Sequence, residues 1–122
     1  MPDEIGRPME KIVERGLLYD FYGELLTMHQ REVYAELIEQ DLSLAELAEE
    51  FEITRQGAHD LIKRCDKLLF GYEEKLHLLE RFLKMRDQIT KTQQVLGSYR
   101  DTKDEALLDE ALQILDDLSE EI

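Results

Sequence analysis

Residues 43–64 read SLAELAEEFEITRQGAHDLIKR, and this stretch decides the fold. A helix-turn-helix needs a small residue where its two helices cross, an apolar residue in the turn and an apolar stripe under the second helix. Ala48 is the small residue, and Ile53 lies in the turn. The stripe is supplied by Ala58, Leu61, Ile62 and Cys65. The stretch therefore predicts a helix-turn-helix over about 43–64.

The turn departs from the usual pattern at one position. Glycine is common in such turns because it adopts positive φ without steric cost, whereas this chain has Glu52. If the turn requires positive φ, we expect Glu52 to carry backbone strain.

The second helix of the motif is expected to expose a polar face. Arg55 and Gln56 lie in its first turn, where Arg suits guanine and Gln suits adenine. Cations further along the helix suit phosphates. The predicted nucleic-acid-binding residues are Arg55, Gln56, His59, Lys63, Arg64 and Lys67. The alternative is an ordinary helical hairpin with a solvated polar face.

Apolar periodicity extends the helical pattern to most of the chain. Capping boxes at Thr27, Ser43 and Thr102, each with Gln or Glu three residues later, mark helix starts. The predicted helices cover 9–26, 28–40, 43–51, 54–70 with a possible continuation to 96, and 102–120. Gly71 is expected to kink or break the long helix, and Gly97 is expected to end it. The sequence thus predicts an all-α fold, divided into residues 1–70 with the motif and a helical extension over 71–122.

The charge distribution qualifies the nucleic-acid prediction. The net charge is −14, which opposes contact with phosphates. Residues 1–54 carry 14 acidic and 4 basic residues, and residues 101–122 carry 9 acidic and 1 basic residue. Residues 55–100 carry 10 basic and 6 acidic residues, a net charge of +4. Phosphate is therefore expected to be tolerated only along this middle segment.

Other function classes find no support in the sequence. The three histidines, His29, His59 and His77, lack metal-ligand spacing with each other or with the lone Cys65. No phosphate-binding glycine loop occurs, and adjacent acidic pairs point to different sides of a helix. We therefore expect no enzyme, no metal and no cofactor. No apolar run approaches a membrane span, and residues 1–10 lack a signal-peptide pattern, which favours the cytoplasm.

Segment 26–69 resembles region 4 of bacterial sigma factors, the domain that reads the −35 promoter element. A closer resemblance, over residues 9–96, is to the YlxM family of Gram-positive bacteria. It rests on FYGELLT (21–27), SLAELAEEF (43–51), TRQGA (54–58) and YEEKL (72–76). Members of that family are encoded beside the signal recognition particle GTPase or its receptor. The resemblance implies a regulatory part in that pathway, with DNA or signal recognition particle RNA, and its proteins, as partners.

Two functions remain open from the sequence. The first is a nucleic-acid-binding regulator that uses the basic middle segment. The second is a protein-interaction or scaffold module with a vestigial helix-turn-helix, which the overall acidity and Asp60 favour. A homodimer is also expected, because the long and C-terminal helices carry more apolar surface than a small motif can cover. The residues concerned are Tyr72, Leu76, Leu79, Leu83, Leu108, Leu115 and Leu118. Alternatively, the C-terminal helix folds back over them.

Overall fold

A computed structural model describes residues 10–121, and over that range the chain is helical with no strand. Six α-helices follow one another along these residues: α1 (Lys11–Tyr22), α2 (Met28–Glu39), α3 (Leu44–Glu50), α4 (Arg55–Leu76), α5 (Leu78–Thr102) and α6 (Glu105–Glu121). One turn of 3₁₀-helix, Gly23–Leu25, follows α1. The predicted all-α fold is confirmed. Two units are formed, one by the residues up to Leu79 and one by the residues from Glu80.

The first unit is built around α4. Helices α1, α2 and α3 each contact α4 and bury their apolar faces there. Two tyrosines are among the fully buried side chains of this unit. The largest of these side chains belong to Leu18, Tyr22, Val33, Tyr34, Leu47, Cys65 and Leu69. Phe21 and Leu25, which share the helical spacing of Leu18, are exposed. For Leu25 the reason is that a 3₁₀ turn follows the end of α1 at Tyr22. Gly23 is required in this turn, since a Cβ there would lie 2.9 Å from the ring of Tyr19.

The long helix breaks at His77, and the predicted breaks at the glycines are wrong. Helix α4 continues through Gly71, and α5 continues through Gly97 to Thr102. Glycine lowers helix stability by only about 1 kcal/mol, so packing can carry a helix through it. His77 has a φ of 58°, in the left-handed region, and its amide donates to the carbonyl of Glu73 at 2.8 Å. The predicted division at 70/71 consequently falls inside α4.

Side chains from α1 and α4 hold the start of α5 at this break. The hydroxyl of Tyr22 donates to Glu73 Oε1 at 2.6 Å and accepts from the amide of Leu78 at 3.1 Å. The amide of Leu79 donates to the same Glu73 oxygen at 2.9 Å. Burial is the main cause that raises the pKa of Tyr22, and the hydrogen bond to Glu73 raises this pKa further. The first amides of α5 are thereby satisfied by a contact that spans 51 residues of sequence.

An ion pair and a tyrosine join α1, α2 and α4. Arg15 binds both carboxylate oxygens of Asp66, with Nε at 3.0 Å and Nη2 at 2.6 Å. Tyr34 donates its hydroxyl to Asp66 Oδ1 at 2.6 Å. Burial and this hydrogen bond raise the pKa of Tyr34. The charged groups of Arg15 and Asp66 are largely shielded from solvent, so their pairing is a strong link between the three helices.

Two of the three predicted capping boxes are confirmed. The hydroxyl of Thr27 accepts from the amide of Gln30, and the hydroxyl of Ser43 accepts from the amide of Glu46, with the reciprocal bonds also formed. The third is wrong, because α5 extends over Thr102 and Asp104 accepts from the amide of Ala106 at 3.0 Å instead. Thr102 contributes by accepting from the amide of Asp104 at 3.2 Å.

The second unit is an antiparallel pair of helices. It comprises α5 from Glu80 onward and α6, joined through Lys103, whose φ is 60°. Lys84, near the start of α5, pairs with Glu121, at the end of α6, at 2.9 Å.

The crossing of α3 and α4 offers a direct test of the motif's packing. Ala48 is buried in α3, and its carbonyl accepts from the amide of Ile53 at 3.0 Å. We expect Ala48→Leu to lower the free energy of unfolding by about 1–3 kcal/mol, because the added methyl and methylene groups overpack the crossing. Urea denaturation followed by circular dichroism measures the loss. Ala45→Leu, at an exposed position of the same helix, is the control. An Ala48→Leu variant as stable as the parent would place Ala48 outside the crossing.

Candidate nucleic-acid interface

Helix α4 presents one face to solvent because its other face forms the core. Ala58, Ile62, Cys65 and Leu69 are buried, and their spacing of four, three and four residues places them on one side of the helix. Burial raises the pKa of the Cys65 thiol to about 11, so this cysteine remains protonated at neutral pH and acts as a core residue. The opposite side of α4 is therefore the side on which a ligand can bind.

All six residues predicted to contact nucleic acid lie on exposed positions of α4. They are Arg55, Gln56, His59, Lys63, Arg64 and Lys67. Thr54 precedes them and caps the helix, with its hydroxyl accepting from the amide of Gly57 at 2.9 Å. Over the same helix, the structure thus brings together the residues proposed for base edges and those proposed for phosphates.

The turn before α4 has the strained geometry that the sequence made possible. Glu52 has a φ of 56°, a left-handed conformation that non-glycine residues rarely adopt. The Ile53 amide bonds back to the carbonyl of Ala48 in α3, which holds the turn closed. The strain at Glu52 is therefore a feature of the motif's turn.

Asp60 lies close to two polar side chains in the first two turns of α4, those of Gln56 and His59. Gln56 Nε2 donates to Asp60 Oδ1 at 2.9 Å, and His59 Nδ1 lies 3.6 Å from the same oxygen. The contact with adenine predicted for Gln56 would therefore require the loss of this bond. Sequence reasoning missed the contact, although the spacing of four residues between Gln56 and Asp60 on a helix is the signal for it.

Removal of the Asp60 charge is expected to strengthen binding. We expect Asp60→Asn to raise affinity for nucleic acid about threefold, because a carboxylate beside the cations predicted to bind phosphates would repel the ligand over roughly a Debye length of 8 Å. A fluorescence anisotropy titration at 0.15 M salt measures it. Glu39→Gln, which makes the same charge change at an exposed position of α2, should leave affinity unchanged. Equal effects of the two substitutions would show that net charge, not this face, determines binding.

The three cations predicted to contact phosphates are available for a ligand. Within residues 10–121, the charged groups of Lys63, Arg64 and Lys67 form neither an ion pair nor a hydrogen bond. Lys75, two helical turns beyond Lys67, is exposed and likewise unpaired within that range. At 1.5 Å per residue, the row from Lys63 to Lys75 extends about 18 Å along α4. Such a row can follow several consecutive phosphates.

Among the described residues, no helix is both long enough and apolar enough to cross a lipid bilayer.

Comparisons with known proteins agree with this geometry. The model of the family UPF0122, described as "Putative helix-turn-helix protein, YlxM / p13 like", matches residues 9–111. A UPF0122 protein of Clostridium botulinum is 51% identical over 81 residues, which cover 66% of this chain and 74% of the relative. UPF0122 protein YlxM of Bacillus subtilis is 37% identical over 108 residues, which cover 88% of this chain and 98% of the relative.

Proposed function

The chain belongs to the UPF0122 family of YlxM-like helix-turn-helix proteins, and on this premise we propose that it is a nucleic-acid-binding regulatory protein. The observation that carries the proposal is that Lys63, Arg64 and Lys67, on the second helix of the motif, are exposed and have no ion-pair or hydrogen-bond partner within residues 10–121. In a chain of net charge −14, a helix face that carries three such cations is where the electrostatic attraction of phosphates is expected to be strongest. Its role is to bind and regulate, without catalysis.

The ligand we propose is the RNA of the signal recognition particle. The resemblance of residues 9–96 to YlxM proteins supports this part of the proposal. The acidity of the flanking segments lowers non-specific affinity, which favours a structured or specific target over random DNA. The proteins of that particle are further proposed partners, and the cytoplasm is where the encounter would take place.

A competition titration tests this assignment. Labelled signal recognition particle RNA is bound first, and unlabelled RNA, promoter duplex and random duplex then compete at equal phosphate concentration. We expect the particle RNA to compete best. Equal competition by all three would contradict a specific RNA target. Arg55→Ala and Gln56→Ala are expected to narrow the difference between competitors, because those side chains face the bases.

We further propose that the protein acts as a homodimer through the second unit. On α5, Phe82, Ile89 and Leu96 are exposed at intervals of seven residues, the repeat typical of helices that pack side by side. Leu112 and Leu115 are exposed on α6. Of the residues first expected at this interface, Leu115 is 43% exposed, whereas Leu79 is buried.

Sedimentation velocity at micromolar concentration tests the dimer. We expect a dimer for the parent and a monomer for an Ile89→Glu, Leu96→Glu double variant, because each carboxylate would be buried at the interface without a partner. A monomeric parent contradicts this part of the proposal and leaves nucleic-acid binding untouched.

One observation favours the alternative of a protein-interaction module. Asp60 accepts a hydrogen bond from Gln56 and adds a negative charge one helical turn beyond the residues expected to meet base edges. A module of that kind would bind neither RNA nor DNA in the titration at physiological salt.

A further inference from the structure

A concavity of about 320 Å³ lies on the exposed side of α4, where it includes two of the residues predicted to bind nucleic acid, Arg64 and Lys67, and extends to Lys75. We call it the Gly71 notch. Its lining residues are Arg64, Lys67, Leu68, Gly71, Tyr72 and Lys75. All six belong to α4 and to the first unit. The volume is at the lower end of the roughly 300–1,000 Å³ of small-molecule sites, so the notch suits one small group.

The notch exists because residue 71 has no side chain. Glycine inside a helix costs about 1 kcal/mol relative to alanine. Nothing in the described chain requires it at this position, because its φ is not positive and a Cβ there would meet no atom within 4 Å. Gly23 differs, since the ring of Tyr19 excludes a Cβ there. The open space at Gly71 is thus available to something outside this chain.

The chemistry of the lining is apolar and aromatic at the centre and cationic at the edge. Leu68 and Tyr72 are half-buried beside Gly71, and the ring of Tyr72 is supported by the ring of Tyr22, with centroids 6.0 Å apart. Arg64, Lys67 and Lys75 are exposed around them and unpaired within residues 10–121. A flat apolar group that carries negative charges on either side complements such a surface.

We propose that the Gly71 notch binds the base of one unpaired nucleotide of a folded RNA. The base lies over Gly71 against Tyr72 and Leu68, and the phosphates on either side of it pair with Arg64, Lys67 and Lys75. This inference rests on the proposed function and specifies the form of its ligand. Bases within a duplex are stacked and unavailable to such a notch, whereas RNA loops and bulges present bases that can stack on aromatic side chains.

The probe that tests the notch is an RNA hairpin with 2-aminopurine at one unpaired loop position, compared with a fully paired RNA duplex of equal phosphate number. Gly71→Leu fills the notch and removes no charge. We expect it to weaken hairpin binding about tenfold, within the range measured for loss of one stacked base. Binding to the duplex should not change. In the parent, the 2-aminopurine fluorescence should fall on binding, as expected for a stacked base, and Gly71→Leu should prevent that fall.

Gly97→Leu is the matched control, because a Cβ at Gly97 in α5 also meets no atom within 4 Å. It should bind both probes as the parent does. Gly71→Ala, which fills less of the notch and favours the helix, should weaken hairpin binding by a smaller factor. Circular dichroism should show undiminished helicity for all three variants.

Unchanged hairpin binding by Gly71→Leu would overturn the proposal. An equal loss for hairpin and duplex would also overturn it, since the site would then contact only phosphates, and the proposed function would stand. A change in sedimentation of Gly71→Leu in the absence of RNA would assign the notch to a second copy of the chain and overturn it as well. If the parent binds neither probe, the proposed function fails together with the notch.

Discussion

A variant with Lys63, Arg64 and Lys67 all replaced by Glu is expected to lose at least 100-fold in affinity for its nucleic acid at 0.15 M salt. The substitutions remove the three proposed phosphate contacts and put three repelling charges in their place, within the segment of the sequence that has a net positive charge. Helicity should be retained, because all three side chains are exposed and unpaired within the described residues. Anisotropy titration and circular dichroism give the two measurements.

The control has the same net charge but keeps this face of α4 intact. Lys11, Arg31 and Arg100 are exposed on other helices, and their joint replacement by Glu makes the same total change in charge. We expect this control to lose only a few-fold in affinity, because salt screens charges that lie more than about 8 Å from the phosphates. Similar losses in the two triple variants would mean that overall repulsion, and not contact through α4, explains the effect.

The Asp66→Ala variant is expected to lose about 3–5 kcal/mol of unfolding free energy. Removal of one partner of a shielded ion pair leaves the other charge uncompensated, here the guanidinium of Arg15, and also removes the acceptor of the Tyr34 hydroxyl. Small domains have about 5–15 kcal/mol in total, so the variant should lose a large fraction of its stability and unfold at a clearly lower urea concentration. Urea denaturation measures the change.

Asp60→Ala is the control for this loss. It removes a carboxylate from the same helix at an exposed position and should change stability by about 0.5 kcal/mol or less. If Asp66→Ala is as stable as Asp60→Ala, the link between α1, α2 and α4 through Asp66 does not contribute as the geometry indicates. A similar loss of unfolding free energy in Arg15→Ala would support the contribution of the Arg15–Asp66 pair to stability.

Local sequence signals were sufficient for the motif and for the orientation of its second helix. The capping boxes at Thr27 and Ser43 and the apolar spacing of Ala58, Ile62 and Cys65 depend on neighbours within a few residues. The same spacing predicted which side chains of α4 would face solvent. Such short-range rules transfer well from sequence to structure because the helix itself fixes the geometry.

The features that sequence reasoning missed depend on contacts between distant residues. Tyr22 supports the break at His77 through a bond to the amide of Leu78, across 56 residues, and the pair of Arg15 with Asp66 spans 51 residues. Glycine was expected to break the long helix, yet Gly71 and Gly97 both lie within helices, since their local cost is small against the packing of whole helices. The contact of Gln56 with Asp60 is the exception among the missed features, because its spacing of four residues on a helix would have been enough to predict it.

The salt dependence of binding by the parent protein tests the central claim, contact with phosphates through the basic face of α4. Affinity for a structured RNA is measured by anisotropy between 0.05 and 0.3 M salt, on the order of the range over which counterion release is seen. With Lys63, Arg64, Lys67 and Lys75 in contact, we predict that log K falls linearly with log salt with a slope of about −3. A slope near zero, or a slope that the Lys63, Arg64 and Lys67 triple variant shares, would contradict the account.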